Sequence, residues 1–155
     1  MEQTLTDIRG VMIQVTEGRL LLPNATVAEV ITYSEPEPVP GAPDWVMGRI
    51  RWRGWRIPMV SFARLAGFSQ VEGERGSKVA VLKALSGNPR LPYFCMLTQG
   101  FPRLTTVSQA QLLEEAGDIP PGALMRVRLR DDEAVIPDLT DIETRLGDVL
   151  AAQAA

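Results

Sequence analysis

The chain contains no histidine. That absence removes the commonest general base, the commonest metal ligand and every Ser/His or Cys/His nucleophile arrangement. Chemistry built on lysine, tyrosine or carboxylates survives it. The single cysteine, Cys95, cannot form an internal disulfide. It sits in the apolar run 93–97, where a buried, inert thiol is the expected state, and such sparing use suits a reducing cytosol. No apolar run approaches the roughly 18–20 residues of a membrane span, so no membrane insertion is expected. The opening residues 1–7 lack the basic start and apolar core of a secretion signal. Also missing are a glycine pattern that cradles phosphate, Cys/His metal spacing and a nucleophile elbow. The acidic pairs Glu114-Glu115 and Asp131-Asp132 are sequence neighbours. On a strand such neighbours point to opposite faces, so neither makes an acid/base dyad.

What the chain does have is length enough for a core. Its 155 residues suit one domain, or two small halves sharing an interface. Hydrophobic residues at 45% and charged residues at 23% give the balance of an ordinary globular protein. A net charge of −3 and a pI near 5.0 argue against a dedicated binder of nucleic acid or anionic membrane.

In order, Val11, Ile13 and Val15 alternate, Glu17-Gly18 follows, and Arg19 to Pro23 resumes. That predicts a hairpin, with Gly18 supplying the positive φ of a tight turn. Asn24 or Thr26 is placed to cap a short helical turn, and the β-branched residues beyond it disfavour a long helix. Glu29 is the lone charge in this apolar patch, either solvated or the buried partner of an arginine elsewhere. Pro36, Pro38, Pro40 and Pro43 exclude helix; Trp45-Val46-Met47, directly after them, anchors the loop on a core. Ser61 reads as the cap of a short turn through Ala66, closed by Gly67. The polar stretch 70–77 reads as the loop between two halves, with strands over 78–85 and 91–97 about a Ser86–Pro89 turn. A strand is expected over 103–107, then a helical segment, because Ser108 to Gln111 has a capping-box pattern leading into Leu112-Leu113. Met125, Val127 and Leu129 alternate with Arg126, Arg128 and Arg130, a strand with a solvated arginine face that turns at Asp131-Asp132 into Ala134–Ile136. Thr140 to Glu143 reads as a capping box opening a last helix, with Ile142, Leu146, Val149 and Leu150 on one stripe. Many short strands and few helices indicate a mainly β barrel or paired-barrel architecture.

The most specific stretch runs from Gly48 to Phe62. Arg49, Arg51 and Arg53 fall on one parity, Ile50 and Trp52 on the other, which predicts a strand with one cationic and one apolar face. Gly54-Trp55 interrupts it, and Arg56 to Val60 resumes as a second strand. Pro58 cannot donate to a ladder and belongs there at an edge or a strand end. Trp45, Trp52 and Trp55 among these arginines form, on one reading, a stacking surface for single-stranded nucleic acid. Large aromatics and arginine are equally the material of protein–protein hot spots, and the acidic net charge favours that class.

The run from Pro40 through Gly48 to Val60 resembles the central signature of the CheW-like adaptor family: a Pro-rich loop, a Gly, a strand ending in aliphatic-Arg-Gly, then aliphatic-Pro-x-Val. Leu22-Pro23 and Val27-Ala28-Glu29-Val30 are similar to its Pro-then-Val-x-Glu-Ile segment, and Asp138-Leu139 to the segment before its final helix. The resemblance implies one CheW-like domain over 1–155, mainly β: two SH3-like five-stranded β-barrel subdomains packed together, with short helices and a C-terminal helix. The approximate halves are 11–67 with the C-terminal region, and 78–136. It implies a cytoplasmic, non-catalytic adaptor without cofactor or metal. Its partners would be the cytoplasmic tip of a methyl-accepting chemoreceptor and the regulatory domain of a CheA-type histidine kinase, in a chemotaxis or pilus-type motility pathway. In that family the Glu of the Val-x-Glu segment pairs with the Arg of the Arg-Gly motif, which implies an ion pair between Glu29 and Arg53. Losing one partner would cost about 3–5 kcal/mol if the pair is buried and about 0–1 kcal/mol if it is exposed. The same matching sets Val27, Gly48, Arg53 and Gly54 beside the receptor groove, and the cationic strand adds Arg49, Arg51 and Trp55 as partner-binding residues. Arg51 stands where the family commonly has Asn, Ser61 where it has an acid, and Leu97–Gly100 where it has a Val-Asp motif, the marks of a divergent member.

Overall fold

Alternation at 11, 13 and 15 produces β1 (Ile8–Val15), which turns into β2 (Gly18–Pro23). The structure, a computed structural model, describes residues 7–69, 77–85 and 87–154. The positive φ of this first turn belongs to Glu17 at 63° and not to Gly18. Gly18 is needed for room: a Cβ on it would lie 2.5 Å from the Phe68 ring. A single 3-10 turn, Asn24–Thr26, follows without a side-chain cap and leads into β3 (Val27–Thr32). Next come β4 (Val46–Trp52), β5 (Trp55–Val60) and α1 (Phe62–Ala66). Ser61 caps α1 by accepting from the Arg64 N–H, and Gly67 closes it in the left-handed conformation at φ 79°. The expected strands about the Ser86–Pro89 turn are β6 (Ser77–Lys83) and β7 (Tyr93–Gln99). Residues 70–76 of the expected inter-half loop, and Ser86 of that turn, lie outside the described residues.

The remaining elements are β8 (Arg103–Val107), β9 (Leu112–Glu114), β10 (Ala123–Leu129), β11 (Asp132–Pro137) and α2 (Leu139–Ala154). No helix forms at Ser108. Its hydroxyl donates to Gln111 Oε1 at 3.0 Å, but the turn is then drawn out into β9, which pairs with β10 through Leu112, Leu113 and Glu114. Helix α2 is capped by Asp138, whose Oδ1 accepts the Asp141 N–H at 3.0 Å, two residues earlier than a Thr140 box. Glu143 is buried and accepts the Leu85 N–H at 2.8 Å, tying the helix to the end of β6. The arginine face of β10 is not simply solvated: Arg128 meets Glu115 at 2.9 Å and Glu133 at 3.2 Å.

The strands form two sheets, one in the order β8-β1-β2-β11-β10-β9 and the other β3-β6-β7-β5-β4. Two packed β subdomains with a C-terminal helix are therefore present, one with five strands and one with six, the sixth being the short β9. Sheet membership does not follow halves at 11–67 and 78–136. Strands between residues 27 and 99 make the five-stranded sheet, while β1 and β2 join β8 to β11 in the other. Each sheet encloses its own core. Ile50, Trp52, Ile57, Met59, Val79, Val81 and Cys95 fill the five-stranded barrel; Met12, Leu21, Val127, Leu129 and Ala134 fill the six-stranded one. A third, larger cluster lies between them. It takes Val11, Ile13 and Val15 from β1, Ala80 and Leu82 from β6, Phe94 and Met96 from β7, and Ile142 and Leu146 from α2. Strands β6 and β7 are buried on both faces, which explains why they read as continuous apolar runs.

The Cys95 thiol donates to the Pro58 carbonyl oxygen at 3.4 Å inside the five-stranded barrel, and burial pushes its pKa up. A thiol-reactive dye is therefore expected to label the native protein no faster than the barrel opens. Labelling at the rate of a free thiol would show that interior to be accessible. The folded thiol titrates above the unfolded one, so its stabilisation is intact below about pH 8.5 and declines above it.

Candidate functional site

The β4–β5 hairpin turns on two residues, Arg53 at φ 48° and Gly54 at φ 82°. Both are left-handed, as the type I′ turn requires. The strand parity therefore ends at Trp52, and Arg53 leaves the cationic face. Its guanidinium lies 4.8 Å from the Trp52 ring centroid, and its Nη2 donates to Glu29 Oε1 at 3.0 Å. Trp52 Nε1 donates to the same oxygen at 2.9 Å. Glu29 arrives there through a bulge in β3 between Val27 and Glu29. The bulge leaves Ala28 and Ile31 packed on the barrel core and gives Val27 and Val30 to the opposite surface. Since β3 and β4 are the two edges of this sheet, the Glu29 carboxylate clasps the barrel across an unladdered seam. The side chains of Arg53 and Glu29 are 66% and 38% exposed, so their ion pair falls in the weak, screened regime. The indole of Trp52 is buried and depends on its acceptor more. Sequence reasoning missed that bond, which depends on how the chain folds back between residues 29 and 52.

On the surface that carries Val27 and Val30, where the two sheets meet, lies a largely apolar groove of about 230 Å³ whose other lining residues are Val11, Asn24, Phe101, Pro102 and Leu104. Phe101 and Leu104 remain 73% and 60% exposed. Lys78 Nζ lies 4.8 Å from the Phe101 ring centroid and helps hold that ring in place.

The other expected partner-binding residues lie elsewhere. Gly48 is buried, and an added Cβ would overlap the Glu37 carbonyl oxygen. Its place is under the proline-rich loop, where Glu37 exchanges two backbone hydrogen bonds of 2.8 Å with Arg49 and covers the outer edge of β4. Arg51 is exposed and stands directly across from Arg56, an unfavourable like-charge pair that the Arg56–Glu37 ion pair offsets. Pro58 is on an interior strand, at the point where the ladder from β5 to β7 begins with Met59, so its missing N–H interrupts nothing. Trp45 and Trp52 are buried and Trp55 alone is exposed. The three tryptophans therefore make no stacking surface for nucleic acid.

Two packed β sheets around separate cores, with an open apolar groove between them, define a docking scaffold. A family model, the CheW-like domain, matches residues 9–144, and the chain belongs to that family. It is thus a non-catalytic scaffold of the chemotaxis type. Among solved structures the fold is similar to the scaffolding protein TtCheW from Thermoanaerobacter tengcongensis. The TM-score is 0.72 at 14% identity, over 86% of each chain. No curated protein sequence matches. Among the described residues no cluster of His, Cys, Asp and Glu is placed to hold a metal. No helix among them is long and apolar enough to cross a membrane.

Proposed function

We propose that the chain is a cytoplasmic adaptor that couples the cytoplasmic tip of a chemoreceptor to the regulatory domain of a CheA-type histidine kinase, in a chemotaxis or pilus-type motility pathway. The observation that carries this reading is the apolar groove between the sheets, with Val27, Val30, Phe101 and Leu104 on its walls and Glu29 of the clasp lying between the two valines along β3. A groove of this kind takes the apolar stripe of an amphipathic helix. Arg53 and Gly54, at the tip of the β4–β5 hairpin, lie beside that clasp and flank the incoming helix. The adaptor does no chemistry: docking biases the kinase only through contacts that differ between its states.

Titration of a soluble receptor-tip fragment against the protein tests the groove. Val27→Asp is expected to weaken binding at least about tenfold, because a carboxylate would enter an apolar contact. Arg53→Glu, which turns the clasp into a repulsion with Glu29, is expected to abolish receptor docking. Undiminished binding by both variants, or no binding of the kinase regulatory domain at high micromolar concentration, would overturn the reading.

A further inference from the structure

A second groove, of about 360 Å³, runs between the β4–β5 hairpin and α2 and shares no lining residue with the first. We propose that it docks an acidic peptide segment of a partner protein, one that carries an apolar side chain between its carboxylates.

Three arginines arrive there from separate parts of the chain: Arg49 from β4, Arg56 from β5 and Arg90 from the turn before β7. Among the described residues no aspartate or glutamate lines the groove. Arg56 has Glu37 as a partner, whereas the side chains of Arg49 and Arg90 meet no carboxylate among the described residues. On a chain whose net charge is −3, gathering three guanidinium groups, two of them with no carboxylate partner among the described residues, is a local commitment to an anionic ligand, and their planar forks suit carboxylates. The floor is apolar, with Pro58, Tyr93 and Leu150 on the lining. Trp55, 45% exposed, leans on Tyr93 with ring centroids 6.4 Å apart. On the helical wall Gly147 has nothing within 4 Å of the place its Cβ would occupy, so space is left for a side chain from outside. A nucleic-acid strand would require a row of exposed aromatics as well as phosphate contacts, and Trp55 is the only tryptophan available. Carboxylates on the arginines and an aliphatic or aromatic side chain on the floor satisfy both halves of the surface.

The test uses a short fluorescein-labelled peptide of Asp-Glu pairs separated by leucines, followed by anisotropy on the full chain at low salt. Saturable binding that weakens as salt rises is expected. Arg49→Glu with Arg90→Glu should weaken it at least about tenfold, while Arg49→Lys with Arg90→Lys retains most of it. Melting curves matching those of the parent establish that the charge-reversed variant is folded. Binding to the receptor-tip fragment should be unchanged in that variant, and peptide binding unchanged in Val27→Asp, so the two docking readings fail independently. No saturable peptide binding, equal binding by the charge-reversed variant, or tighter binding of a single-stranded oligonucleotide than of the peptide would each overturn the proposal.

Discussion

Gly48→Ala is expected to lower the melting temperature by roughly 6–12 °C, from a loss of about 3 kcal/mol. Two terms add. The backbone at Gly48 has φ 143°, which L side chains rarely adopt, a strain of about 1–3 kcal/mol. The new methyl would also overlap the Glu37 carbonyl oxygen and press on Pro36, and overpacking of this kind costs about 1–3 kcal/mol. The chain relieves it by lifting the proline-rich loop, which breaks the two bonds between Glu37 and Arg49 and bares the outer edge of β4. A bared edge strand is a template for pairing, so the variant should self-associate on gel filtration as well as melt early. A melting curve matching the parent's would mean that the loop does not rest on Gly48.

Substitutions at the clasp should separate its two bonds. Glu29→Ala leaves the buried Trp52 N–H without its acceptor, at a cost of about 1–3 kcal/mol. Arg53→Ala removes only the exposed ion pair, about 0–1 kcal/mol. Glu29→Gln keeps an oxygen for the indole and loses the charge, so it should fall near Arg53→Ala. Urea denaturation monitored by tryptophan fluorescence reads all three. If Glu29→Ala and Arg53→Ala cost the same, the indole bond is not what holds the seam, and the ion pair alone accounts for the glutamate.

The local features were legible where a short-range pattern meets a two-sided environment. Alternation along β4 marks Ile50 and Trp52 as inward and Arg49 and Arg51 as outward, because a half-buried strand must alternate. The Ser61 cap and the Gly67 close of α1 are likewise written in a few adjacent residues. Arg53 was assigned to the cationic face by extending that period one residue too far, into a turn whose φ values break it. The helix expected after Ser108 and the cap expected at Thr140 both had the right side chains. Pairing with β10 drew the first into a strand, and burial against Leu85 drew Glu143 away from the second. The division between barrels was hidden for a different reason. Sheet partners such as β2 and β11 are distant in sequence, and no local signal records which strand a strand will lie beside.

That wide spacing has a consequence for synthesis. A growing chain possesses all five strands of one sheet once Gln99 has emerged, whereas the other must wait until Pro137 to receive β11. In the interval the opening hairpin gains only β8, against β1, while the β2 edge stays unpaired, although β1 sends apolar residues into two different cores. The nascent protein is therefore most open to capture by chaperones, or by a neighbouring nascent chain, between those two points on the ribosome.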